Sequence, residues 1–127
     1  MGPEVGISID VPDMERAVSF YTGALGFETT RSGEDTTVLS TGSMPIYLLK
    51  RQEGTNPLLA GTAARAYHRH WTPVHLDVTV DDLAAAVARV KEAGGTCEGE
   101  EAADWGGIAY CADPFGHGFC LIRVERT

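Results

Sequence analysis

Two stretches decide the fold of this chain: ISIDVPDM at residues 7–14 and LDVTVDDL at residues 76–83. In each, apolar and polar residues alternate over one strand, and a helical segment then begins after an aspartate. A repeat in so short a chain indicates two copies of one supersecondary unit, each too small to bury its own apolar face. The residue before the repeated stretch is Gly6 in the first copy and His75 in the second. We expect the functional chemistry to lie where the copies meet.

The composition favours one compact domain. The chain has 127 residues, and 43% of them are hydrophobic, which is enough for a core. A formal net charge of −8 without a basic cluster argues against nucleic acid as a partner. No segment reaches the roughly 20 apolar residues that span a bilayer, and the N-terminus has no signal region, so we expect a cytoplasmic protein with no membrane partner. Cys97, Cys111 and Cys120 form no Cys-x-x-Cys, which predicts reduced thiols.

The first copy reads as β-α-β-β-β. Residues 5–11 alternate as a half-buried strand, and apolar residues at helical spacing then predict a helix that begins after Asp13 and ends at Gly26. Residues 27–31, 35–40 and 45–50 predict three further strands, separated by Ser32-Gly33 and Thr41-Gly42 turns.

The second copy has the same order of elements. We predict a strand over residues 74–80, a helix over residues 81–93, and strands over residues 96–98, 107–112 and 118–124. The acids of Asp13-Met14-Glu15 and Asp81-Asp82 are interpreted as helix-capping acids rather than catalysts. The linker, about residues 52–72, contains Gly54, Pro57, Gly61 and the aromatic and imidazole side chains of Tyr67, His68, His70 and Trp71.

Several motifs in order resemble the vicinal oxygen chelate superfamily of glyoxalases, bleomycin-resistance proteins, extradiol dioxygenases and epimerases. They are VPDMERAVSFY at residues 11–21, ALGF at 24–27, HLDV at 75–78 and DPFGH at 113–117. The resemblance implies an α+β fold in which two tandem βαβββ modules form open barrel-like sheets around a central cavity. The modules would span about residues 4–51 and 73–126 of a single glyoxalase/bleomycin-resistance-like domain.

Enzymes of that superfamily hold a metal on four side chains, one from the first and one from the last strand of each module. Carried onto this chain, these positions fall on Gly6, Tyr47, His75 and Cys120. Gly6 has no side chain, a phenol with an ordinary pKa near 10 is a poor ligand, and Cys120 stands where a glutamate is usual. His75 and Cys120 alone make a weak site, although His68, His70 or His117 could complete it. The resemblance therefore implies no resident metal, with a divalent cation on His75 and Cys120 as the alternative.

Other side chains suggest a ligand site. Several aromatic residues around one cavity suit a planar or apolar ligand, although one or two of them could simply fill the barrel. His75 is the candidate catalytic residue, either as a base or as a group that holds a ligand. The alternative is that it is a histidine inherited with the fold and has no such role. Cys120 is a candidate nucleophile or a small buried residue. Arg31 and Arg65 are candidates for pairing with an acidic ligand. The predicted ligand-binding residues are Tyr47, Tyr67, Trp71, His75, Trp105, Tyr110 and Cys120.

We therefore expect a glyoxalase/bleomycin-resistance-like protein, a cytoplasmic homodimer that binds a small apolar or aromatic molecule in its barrel cavity without a metal. The alternative is a metal-dependent lyase, isomerase or dioxygenase of the same superfamily. A third interpretation is a metal-independent lyase or isomerase with His75 as its base.

Overall fold

The structure, a computed structural model, describes residues 2–56, 64–71 and 74–125, and the chain divides into two compact units. One comprises Met1–Thr22 and Gly26–Tyr67, and the other comprises Gly23–Leu25 and His68–Thr127. The first contains β1 (Ile7–Val11), all but the last three residues of α1 (Met14–Leu25), β2 (Glu28–Arg31), β3 (Thr36–Ser40) and β4 (Pro45–Lys50). The second contains β5 (Leu76–Thr79), α2 (Leu83–Glu92), β6 (Thr96–Ala103), β7 (Gly106–Ala112) and β8 (Gly118–Val124).

Each unit carries a four-stranded mixed sheet. The strand orders are β1-β4-β3-β2 and β5-β8-β7-β6, so the first strand of each unit pairs in parallel with the last and the other pairs are antiparallel. This confirms the α+β fold of two tandem βαβββ modules with open sheets. The central cavity that the resemblance implies stays a prediction.

The helix α1 begins after Asp13 as predicted, and α2 begins at Leu83, two residues later than predicted, with Asp82 as its cap. The Asp13 carboxylate accepts the Arg16 N–H at 3.1 Å, and the Asp82 carboxylate accepts the Ala85 N–H at 3.0 Å. Gly26 ends α1 in the left-handed region at φ 72°, which a residue with a Cβ rarely adopts. The capping interpretation is confirmed for Asp13 and Asp82 because these contacts satisfy backbone donors that the first helical turn leaves without partners.

In the second unit, α2 packs against β6, β7 and β8 and buries Ala86, Val87 and Val90. A Cβ added to Gly107 would lie 3.2 Å from Leu83 of α2. Residues 107, 109 and 111 share a face of β7, since side chains alternate along a strand. Ala109 and Cys111, both fully buried, therefore belong to the face of the sheet that α2 covers.

Three strand boundaries differ from the prediction by two residues or more. β5 begins at Leu76 rather than at residue 74, because its ladder with β8 starts at the Leu76–Phe119 pair, and Val74 is 80% exposed. β1 likewise begins at Ile7 rather than at residue 5. β6 continues to Ala103, well past Glu98, because it forms a long hairpin with β7. Strand ends depend on the partner strand, which the alternation of apolar residues does not show.

Neither helix within the described ranges is long and apolar enough to cross a membrane. Pro57, Gly61 and Thr72 of the predicted linker lie outside the described residues, as do residues 73 and 126 at the predicted bounds of the second module.

Candidate functional site

Four of the predicted ligand-binding residues come together in the second unit. The ring centres of Trp71 and His75 are 5.5 Å apart, and those of Trp71 and Tyr110 are 6.2 Å apart, both edge to face. Tyr110 in β7 is the register partner of Cys120 in β8, so the two share a face of the sheet. We call Trp71, His75 and Tyr110 the aromatic cluster.

Sequence reasoning missed a carboxylate at this site. Asp77 is the register partner of Cys120 across the parallel β5–β8 pair, and its Oδ1 lies 3.2 Å from His75 Nε2. The donor atoms of His75, Asp77 and Cys120 all lie within 4.8 Å of one another. A sequence signal existed, because Asp77 follows His75 by two residues and side chains two apart share a strand face.

The Cys120 thiol is held in its neutral form. The residue is 2% exposed, and burial raises the pKa of Cys120 to about 11, with the hydrogen-bonded Asp77 carboxylate adding to the effect. At neutral pH such a thiol is a poor nucleophile, because the thiolate is the reactive form. A nearby cation would oppose both effects by favouring the thiolate.

This donor set fits a divalent metal in the number and type of its ligands, but the Cys120 thiol is held in its neutral form. An imidazole, a carboxylate and a thiol are the ligand types that zinc takes, and three protein ligands are what a catalytic zinc site needs. Here the carboxylate comes from Asp77 in β5 and the thiol from the β8 position where the superfamily usually has a carboxylate.

Trp71 is anchored on three sides although it is 42% exposed. The Arg69 guanidinium lies 4.6 Å from the centre of the indole, and the indole N–H donates to the Glu98 carboxylate at 3.4 Å. Arg69 also donates two hydrogen bonds to that carboxylate, which lower the pKa of Glu98. A Cβ added to Gly118 would come within 2.7 Å of the ring, so the indole packs on backbone there.

His70 and His117 pair with each other. His70 Nε2 and His117 Nδ1 are 2.9 Å apart, so one ring donates to the other, and the His70 N–H donates to the Gly116 carbonyl at 3.0 Å. Burial and then the neighbouring His117 lower the pKa of His70. Within the described parts of the chain, the group of three donors that could hold an ion contains none of His68, His70 and His117.

In the first unit, Gly6 and Tyr47 fit each other. A Cβ at Gly6 would lie 2.7 Å from Tyr47 Cε2, so the phenol ring occupies the space that a side chain at position 6 would need. Tyr47 is 36% exposed and borders an open groove of about 720 Å³. At these two positions, where superfamily enzymes hold two metal ligands, this chain therefore has a glycine packed under a tyrosine.

The remaining predicted residues lie elsewhere. The Tyr67 hydroxyl donates to the Arg51 carbonyl at 2.8 Å, and burial raises the pKa of Tyr67, which fits a structural role in the first unit. Arg65 pairs with Asp10 at 2.7 Å rather than with an acidic ligand. Trp105 lies at the tip of the β6–β7 hairpin, 48% exposed and five residues before Tyr110 in the chain.

A glyoxalase-like domain family model matches residues 6–122. The chain is 27% identical to lactoylglutathione lyase of Salmonella typhimurium over 118 residues, covering 91% of this chain and 87% of that protein. It is similar in fold to the fosfomycin resistance protein FosX of Listeria monocytogenes (TM-score 0.74, 16% identity, covering 98% and 95% of the two chains). A second solved structure, the antibiotic binding protein TnmS3 of Streptomyces sp. CB03234, has a TM-score of 0.70 at 22% identity and covers 98% of each chain. The chain belongs to the glyoxalase-like domain family, within the vicinal oxygen chelate superfamily.

Proposed function

We propose that this protein binds a small apolar or aromatic molecule at the aromatic cluster and that binding needs no metal. The observation that carries the proposal is the grouping of Trp71, His75 and Tyr110 on one face of the second sheet. Aromatic rings arranged edge to face present both faces and edges for stacking on a planar ligand.

The anchoring of Trp71 supports binding. Contacts from Arg69, Glu98 and Gly118 hold the indole in one position while 42% of the residue stays exposed. A ring that is already immobilised loses little conformational entropy when a ligand stacks on it. The likeness in fold to an antibiotic binding protein agrees with this function without indicating the ligand.

The electrostatics of the cluster favour a neutral or cationic ligand over an anionic one. Partial burial and the neighbouring Glu101, which the hydroxyl contacts, raise the pKa of Tyr110, so the phenol stays neutral. Cys120 beside it is a neutral thiol. Asp77 and Glu101 bring negative charge to the rim, which disfavours an anionic ligand.

Fluorescence of Trp71 tests the proposal directly. In a Trp105→Phe variant, Trp71 is the sole tryptophan, since the chain has two. We expect 9-aminoacridine, a planar aromatic cation, to quench its emission saturably, equally with and without EDTA. The matched Trp71→Phe variant keeps Trp105 at the hairpin tip and should show no saturable quenching. Quenching that appears only after a metal is added would refute binding without metal.

A metal-dependent lyase, isomerase or dioxygenase is the second candidate. It is favoured by the three donors of His75, Asp77 and Cys120 within 4.8 Å and by sequence similarity to lactoylglutathione lyases. A bound divalent cation would act as a Lewis acid that polarises a substrate oxygen. Base catalysis by His75 without metal would instead give turnover in EDTA that His75→Ala abolishes.

Elemental analysis separates these candidates. Tag-free protein is measured before and after incubation with zinc, manganese, nickel and ferrous iron, beside His75→Ala and Asp77→Asn. About one retained ion per chain that both substitutions remove would support the second candidate and refute a metal-free site.

We further propose that the chain acts as a cytoplasmic homodimer, because two-fold pairing is the commonest assembly of such chains. Sedimentation equilibrium at several protein concentrations tests this, and a single monomeric species throughout would contradict it.

A further inference from the structure

Two of the three cysteines are direct neighbours across the hairpin of the second unit. Cys97 in β6 and Cys111 in β7 are register partners in an antiparallel pair. Such partners have Cα atoms about 4.5–5.5 Å apart, and both side chains point to the same face. Disulfides need a Cα separation of about 4.4–6.8 Å, so the backbone is already placed for a bridge. Both thiols are free in the structure.

The sheet keeps Cys120 away from this pair. Cys120 is the register partner of Tyr110, which neighbours Cys111 in β7 and so faces the opposite side of the sheet. Cys111 lies on the face that α2 covers, whereas Cys120 lies on the face of the aromatic cluster. Pairing within one chain is thereby restricted to Cys97 and Cys111.

The two thiols differ in access. Cys97 is half-buried, whereas Cys111 is fully buried. Burial raises the pKa of Cys111 to about 12, and the neighbouring Cys97 thiol adds to the effect. A small oxidant therefore reaches Cys97 first. The raised pKa of Cys111 slows its attack as a thiolate, and its position as register partner of Cys97 is what brings it to react with the product.

We propose that Cys97 and Cys111 are a redox-active dithiol, a site of oxidative modification that closes to a disulfide across β6 and β7 when the folded protein meets a peroxide. Cys97 sulfur attacks one peroxide oxygen, the O–O bond breaks, and sulfenic acid and water form. Cys111 sulfur then displaces the hydroxyl group from Cys97 sulfur, and its proton leaves with that group as a second water. Two thiols are oxidised and one peroxide is reduced, and a dithiol reductant reverses the change.

The test oxidises the native protein with hydrogen peroxide, blocks remaining thiols with iodoacetamide, and measures the intact mass. We expect a mass lower by two hydrogen atoms from the disulfide, with one thiol alkylated. Cleavage after Glu98, Glu101 and Asp113 then places the three cysteines on separate peptides, since these residues lie between them. The peptides of Cys97 and Cys111 should be joined, and dithiothreitol should separate them.

Three variants control the experiment. Cys97→Ser and Cys111→Ser should each abolish the bridge, whereas Cys120→Ser should retain it. Should Cys111→Ser fail to fold, Cys97→Ser at the half-buried position carries the test. A sulfinic acid at Cys97 with Cys111 free, a bridge formed only in denatured protein, or a link between the Cys97 residues of two chains would each overturn the proposal.

Discussion

The indole of Trp71 rests on the backbone of Gly118, so closely that a Cβ at Gly118 would lie within 2.7 Å of two ring carbons. The glycine at the start of β8 therefore sets the position of a tryptophan that lies 47 residues earlier in the chain.

Gly118→Ala should displace Trp71 from the aromatic cluster. We expect the unfolding free energy to fall by about 1–3 kcal/mol, as in other overpacked sites, and the affinity for 9-aminoacridine to fall about tenfold. Urea unfolding and fluorescence titration in the Trp105→Phe background measure the two effects. Gly99→Ala is the matched control, because a Cβ there meets nothing within 4 Å. Equal losses in both variants would contradict the contact.

Gly6→Ala should destabilise the protein by about 1 kcal/mol, because the new methyl group must push Tyr47 aside. In a Tyr47→Ala background the same change should cost less, since the ring at 2.7 Å is absent and the nearest remaining neighbour is Pro45 at 3.3 Å. A double-mutant cycle of urea unfolding measures this coupling. Additive effects of the two substitutions would show that the residues do not constrain each other.

Acid should weaken the contact between His70 and His117. The folded-state pKa of His70 is lowered from 6.5 by burial first and then by His117, His68 and Arg69, against the opposite effect of Asp113. Between the folded-state pKa of His70 and 6.5, the unfolded chain therefore binds more protons than the folded protein. The stability that neutral His70 contributes is complete above pH 6.5 and is lost as pH falls through the folded-state pKa. The difference in unfolding free energy between wild type and His70→Gln should shrink on acidification. His68→Gln, at an exposed position, removes only a lesser cause of the lowered His70 pKa, so it should change the pH dependence less than His70→Gln does, and an equal change would assign the effect elsewhere.

Asp82→Ala should cost about 1 kcal/mol of unfolding free energy, because it removes the acceptor for the Ala85 N–H at the start of α2. The Asp81→Ala substitution removes an equal charge next to the same helix and should lower the unfolding free energy by only a few tenths of the loss caused by Asp82→Ala. Chemical denaturation of both variants checks this, and equal losses would point to charge rather than capping.

The helices could be predicted closely from the sequence because their caps are local. Asp13, Gly26 and Asp82 act within one turn of their own helix, so the residues that decide the boundary stand beside it. Strand ends were predicted less well, since the start of β5 is decided by Phe119 in β8, far along the chain.

The residues of the candidate site also divide into those that the sequence predicts and those whose contacts it does not show. His75 and Cys120 could be placed from the superfamily pattern, and Asp77 follows from strand alternation once its pairing with Cys120 is known. The contacts of Trp71 with Glu98 and Gly118, and of His70 with His117, join distant parts of the chain through sheet register. No local pattern contains that register, so Tyr67 and Trp105 looked equivalent to Trp71 in the sequence although their surroundings differ.

The ladder between β6 and β7 shifts by one residue between Cys97 and Gly99, and Glu98 is the residue that this bulge leaves without a register partner. Loss of Glu98 alone would leave a regular hairpin, so the sheet itself does not require it. The protein would, however, lose the carboxylate that binds both Arg69 and Trp71. A one-residue gap at this position in a related sequence would therefore mark a protein with the same hairpin but a differently held tryptophan.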